Sequence, residues 1–117
     1  MNPITRSQRI AQTAYSRIAA RGTPNKEYVA RAKRFPALIH TCGLAQAVAF
    51  GMAKEFSDYL EDLAAVLQAA GDSEIRSVGD LDRFARSRPL VQYLRLSRDA
   101  LTAASWLKRY AEALGED

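Results

Sequence analysis

The sequence predicts an all-α fold: a compact bundle of five or six helices forming a single domain over residues 1–117. Three observations carry this expectation. Alanine, the best helix former, is the commonest residue, while glycine and proline number only six and four. Apolar residues recur at steps of three and four along nearly the whole chain, the period of an amphipathic helix. No period-two run of Val, Ile and Thr is long enough to build a sheet. A chain of 117 residues suffices for one domain and is too short for two. It can bury about two thirds of its unfolded surface, so it needs no disulfide or metal to hold it.

Each element follows from its pattern. From Thr5 to Arg21, Ile10, Ala14 and Ile18 form a stripe, with Ala11, Tyr15 and Ala19 beside it. Arg6, Arg9 and Arg17 lie off that stripe and face water or a ligand. Gly22 suits a left-handed helix end, and Thr23-Pro24 reads as an N-cap followed by a first helical residue. Tyr28, Val29, Ala32, Phe35 and Ile39 define the second helix, which Pro36 should kink or restart. Thr41-Cys42-Gly43 marks a break. Leu44, Ala47, Val48, Gly51 and Met52 make a third helix, rich in small residues.

Residues 54–58 read as a turn or a continuation. Phe56, Tyr59, Leu60, Leu63, Leu67 and Ala70 make the fourth helix, with Gly71 as its stop. Glu55, Asp58, Glu61 and Asp62 crowd its start, where the dipole favours carboxylates, and read as a solvated cluster. A loop is expected over residues 72–80. Ser77 and Asp80 have capping spacing before a short helix carrying Leu81, Phe84 and Ala85. The longest stripe runs Leu90, Leu94, Ser97, Leu101, Ala104, Leu107, Ala111 and Leu114. Gly115 ends it, with Glu116 and Asp117 frayed.

The residues offer little for catalysis. His40, the sole histidine, has no partner to activate or to orient it. Cys42 is two residues away and on another helix face; it reads as a structural thiol. One cysteine permits no intramolecular disulfide and fits a reducing compartment. The carboxylates near Asp58 lack the second cluster that a di-metal site would need. There is no phosphate-cradling glycine loop and no dinucleotide fingerprint. No enzyme activity, metal or cofactor is therefore expected. No segment has the length and apolarity of a signal peptide or a membrane span, so the expected location is the cytoplasm.

Charge is more informative. The net value is +4, unevenly spread: residues 1–36 carry eight bases against one acid, residues 37–75 one base against six acids. Such asymmetry points to a basic face that meets a polyanion or an acidic partner. Arginines outnumber lysines 13 to 4, and the planar guanidinium fork suits phosphate. Arg6, Arg9, Arg17, Arg31, Lys33 and Arg34 form the candidate nucleic-acid face. Lys108 and Arg109, flanked by Trp106 and Tyr110, are secondary candidates that could serve packing instead.

Two blocks go beyond general helical character. The first spans residues 28–50 and contains Ala32-Lys33-Arg34-Phe35-Pro36-Ala37-Leu38-Ile39, then Gly43-Leu44-x-Gln46-Ala47-x-Ala49-Phe50. The second spans residues 93–114, with Arg98-Asp99-Ala100-Leu101 leading into Trp106-Leu107-Lys108-Arg109-Tyr110-Ala111-Glu112-Ala113. Together with Gln8 to Tyr15, they resemble the small subunit of the type III-B CRISPR–Cas (Cmr) RNA-targeting complex. The resemblance covers most of the chain except residues 56–88. Cys42 departs from the pattern, standing where asparagine is commoner, and residues 64–70 lack an expected tryptophan.

The resemblance implies an all-helical subunit without nuclease activity. It would stack in several copies beside repeated backbone subunits and line the groove where guide RNA pairs with target RNA. Other subunits would do the cutting. Its partners would be the remaining Cmr subunits, further copies of itself and both RNAs, and it would be monomeric when isolated. The charge pattern agrees independently. A groove liner needs cations near phosphates, because guide pairing supplies the sequence specificity. Two rival readings stay open. A stand-alone nucleic-acid-binding regulator would need a polar recognition helix, but the helix after Gly43 is apolar. An adaptor without RNA contact would pair acidic and basic regions head to tail between copies.

Overall fold

The computed structural model describes residues 4–116. Its helices are α1 (Arg6–Ala19), α2 (Lys26–Cys42), α3 (Leu44–Ala53), α4 (Ser57–Ala69), α5 (Val78–Ser87) and α6 (Leu90–Leu114). No strand occurs among the described residues. The long α6 packs chiefly on α1 and α2, α4 packs on α1 and α6, and α3 bridges α2 and α5. The molecule measures 42 × 38 × 21 Å. It is a slab about two helix diameters thick.

Local chemistry explains the boundaries. Thr5 opens α1 with a reciprocal capping box: its hydroxyl accepts from Gln8 N, and the Gln8 amide oxygen accepts from Thr5 N. The expected Thr23-Pro24 cap is displaced. Asn25 caps α2 by accepting from Tyr28 N at 2.9 Å, and Pro24 is buried just outside the helix. Asparagine caps at least as well as threonine, and here its carboxamide has the geometry.

Pro36 does not break α2, which runs unbroken from Lys26 to Cys42. The break falls at Gly43 (φ 83°), which ends α2 and begins α3. That backbone conformation favours glycine, and a Cβ there would lie 3.5 Å from the Tyr93 hydroxyl. Residues 54–56 form a turn between α3 and α4, with Glu55 at φ 61°. Ser77 caps α5 by accepting from Asp80 N, so the loop is shorter than 72–80 and Ile75 within it is fully buried. Glu116 N donates to Pro24 O at 3.0 Å, which ties down a terminus expected to fray; Asp117 lies outside the described residues.

The core takes the five apolar residues expected of α2 and all six expected of the fourth helix. In α6 the buried positions are Leu96, Ala100, Ala103, Ala104, Leu107 and Ala111. Leu90 and Leu94, expected inside, are 70% and 57% exposed, and Val91 is 67% exposed. Tyr15 is also a correction: it is 48% exposed, because it stands at the edge of the α1 stripe. Cys42 is exposed rather than packed.

Candidate nucleic-acid interface

The structure divides the candidate cations by their partners. Arg17 Nε donates to Asp62 Oδ1 at 2.8 Å, and Arg21 Nε donates to Asp62 Oδ2 at 2.7 Å. The Tyr28 hydroxyl donates to the same oxygen. Asp62 is fully buried, which corrects its reading as part of a solvated helix start. A buried carboxylate needs charge partners and hydrogen bonds; α1, the turn after it and α2 supply both. Burial, then the Asp62 charge, raise the Tyr28 pKa and keep it a donor; the Asp62 hydrogen bond raises that of Arg21. Sequence spacing held one clue: Arg17 and Arg21 are four apart at the edge of the first stripe, and Asp62 sits within an apolar one.

Arg6 is also engaged: Nε donates to Ala70 O at 2.7 Å and Nη2 to Asp99 Oδ1 at 2.8 Å. Arg31 reaches Asp58 at 3.3 Å and lies over the Phe56 ring. Arg6, Arg17 and Arg31 therefore hold helices together. Arg9, Lys33, Arg34 and Arg109 are exposed, Lys108 is half-buried, and none of these five forms an ion pair among the described residues. Lys33 lines a shallow groove of about 310 Å³ with Lys26, Val29, Ala30, Glu112 and Glu116. Arg34 rests its guanidinium 4.9 Å above Phe50. The eight candidates thus do not make one continuous face. The free cations on α2, including Lys26, line its solvent side, while Arg9 is on α1 and Arg109 on α6. Exposed Arg95 and Arg98, not among the eight candidate cations, add to α6.

One carboxyl, that of Asp72, is held above the usual carboxylate range. Asp72 lies beside Asp99 and pairs with Arg88 at 3.5 Å. Its Oδ2 is buried with no donor of its own. Burial, followed by the Asp99 contact, pushes the Asp72 pKa up to about 6. A raised carboxyl pKa means that the folded state binds the proton more tightly than the unfolded state. This contribution is complete below about pH 4, the unfolded value, and is lost as pH rises through about 6. Asp72→Asn removes the partly buried charge at every pH. It should gain about 1 kcal/mol at pH 8 after discounting for solvent screening. Urea midpoints at pH 4.5 and 8 check this: the variant's advantage should vanish at the lower pH.

Among the described residues, no group of three or more His, Cys, Asp or Glu side chains could hold a metal ion, and no helix is long and apolar enough to cross a membrane. His40 is exposed.

Comparisons with known proteins agree with the sequence resemblance. The family model described as "CRISPR-associated protein (Cas_Cmr5)" matches residues 6–114, so it also spans the α4–α5 region that the two blocks left uncovered. The chain is 43% identical to the "CRISPR system Cmr subunit Cmr5" of Thermus thermophilus, covering 97% of this chain and 98% of the relative. A crystal structure of a CRISPR-associated Cmr5 family protein from the same organism superposes with a TM-score of 0.84 at 41% identity, over 97% of this chain and 100% of that one. With its helical slab, two signature blocks and near full-length matches, the chain belongs to the Cmr5 family of CRISPR-associated proteins.

Proposed function

We propose that this chain is a non-catalytic structural subunit of a type III-B CRISPR–Cas (Cmr) effector complex acting in the cytoplasm. In this reading it stacks in copies beside the backbone subunits and lines the groove that holds guide and target RNA. The relative named as a Cmr subunit supports the assembly. The observation that carries the RNA contact is the solvent side of α2. Lys26, Lys33 and Arg34 are exposed there with no carboxylate paired to them. Exposed Ala30 and Ala37 lie among them, so a phosphate backbone can approach closely. Such contacts position a duplex without reading its sequence. Arg9 extends the basic surface on α1, while Arg6, Arg17 and Arg31 contribute mainly to stability.

The test is charge reversal in the reconstituted complex. Lys33→Glu with Arg34→Glu should weaken target capture and flatten its salt dependence. Each lost phosphate contact reduces the log–log slope by about 0.7–0.9, so two reduce it by about 1.4–1.8. Unchanged capture at several salt concentrations would show that the α2 face is the wrong one. The exposed ridge of Leu90, Val91 and Leu94 favours a second, compatible reading, in which the chain is chiefly a protein–protein adaptor. Stacked copies or a neighbouring subunit would cover that ridge.

A further inference from the structure

We infer that a second RNA-binding element lies between α1 and α6: an aromatic ledge that takes unpaired bases by stacking. The inference rests on the RNA-groove reading but concerns a different surface and a different chemistry. Tyr15 of α1 meets Tyr110 of α6 edge-on, with ring centroids 5.4 Å apart. Tyr110 in turn stacks on Trp106 at 5.9 Å with the planes 20° apart. The ladder is open to solvent at Tyr15, which is 48% exposed, and Trp106 and Tyr110 are only partly covered.

A groove flanks each part of this ladder. One, of about 460 Å³, is lined by Gln8, Ala11, Gln12, Tyr15, Ser16 and Tyr110. The other, of about 450 Å³, is lined by Thr102, Ser105, Trp106 and Arg109. Neither contains a carboxylate. Grooves elsewhere on the surface do, including Glu112 and Glu116, Asp72 and Asp99, and Glu61. The amides and hydroxyls can hydrogen-bond to base edges of any identity. Arg98, Thr102 and Arg109 follow at steps of four and seven, so they share one side of α6. The two arginines are exposed and unpaired among the described residues, ready for the backbone that carries those bases. Exposed rings next to unpaired cations are the usual platform for single-stranded nucleic acid. A duplex keeps its bases stacked on one another, so it would not use these rings.

The test uses the reconstituted complex and a target RNA carrying 4-thiouridine at unpaired positions, with photoadducts mapped to peptides of this chain. Adducts should form on Tyr15, Trp106 and Tyr110. Tyr15→Ala, at an exposed site that leaves the core intact, should lower the ledge adducts about tenfold without changing adducts on α2. Adducts on α2 with none on the ledge would overturn this inference and leave the α2 reading standing. No adduct anywhere on the chain would overturn the ledge, while the α2 reading stands or falls on the salt dependence of Lys33→Glu with Arg34→Glu. Ledge adducts that persist undiminished in Tyr15→Ala would also overturn the ledge as a stacking platform.

Discussion

Asp62→Ala should destabilise the protein by about 3 kcal/mol, read as a lowered urea midpoint with little change in the slope. Asp62 is fully buried and joins three helices: α4, which carries it, α1 and its following turn through Arg17 and Arg21, and α2 through Tyr28. Its removal leaves two guanidiniums facing each other and a buried hydroxyl without an acceptor. The cost is below that of a fully buried ion pair, because the Arg17 and Arg21 side chains are 41% and 29% exposed and can turn toward water. Asp62→Asn should recover part of the loss, since its amide oxygen still accepts from Tyr28. Arg34→Ala should leave stability within about 0.5 kcal/mol of the parent, as expected for a surface position. That contrast separates arginines that brace the fold from arginines left unpaired at the surface.

Leu96→Ala should cost about 2–5 kcal/mol, while Leu94→Ala, two residues away, should change stability by less than about 0.5 kcal/mol. Leu96 has no exposure and sits in the core, and Leu94 is 57% exposed. Truncating Leu96 opens a cavity in the core. Leu94 lies beside Leu90 and Val91 on a surface ridge, where its loss removes nothing from the fold. The effect of Leu94→Ala should appear in assembly instead: Leu90→Ser with Leu94→Ser should reduce co-purification with neighbouring subunits. Equal stability losses at positions 94 and 96 would mean that the phase of α6 is misplaced.

The α6 ridge also shows where periodicity loses its power. Leucines at 90, 94, 101, 107 and 114 make an apolar run at steps that suit a helix, and the helix is there from Leu90 to Leu114. Which side of it meets the core depends on where α1 and α2 lie. The buried side bears Leu96, Ala100, Ala103 and Ala111, where small residues allow helices to pack closely. Pro36, expected to kink or restart its helix, does not restart it, since α2 runs continuously from Lys26 to Cys42.

The helical class, the order of the helices, most of the core and, through two residue blocks, the family are all legible in the residues before any packing is known. They are written in local spacing, in propensity and in motifs that need no partner to be read. What each charge is for becomes visible only when the helices are packed. A cation is free or committed according to which carboxylate the packing brings within reach, across separations such as the 45 residues between Arg17 and Asp62. Periodicity cannot register such a pairing, because it depends on the arrangement of α1 against α4. The same packing sets Tyr15 beside Tyr110 on the surface. Only packing therefore distinguishes the exposed, unpaired cations such as Lys33 and Arg34 from the arginines committed to the fold.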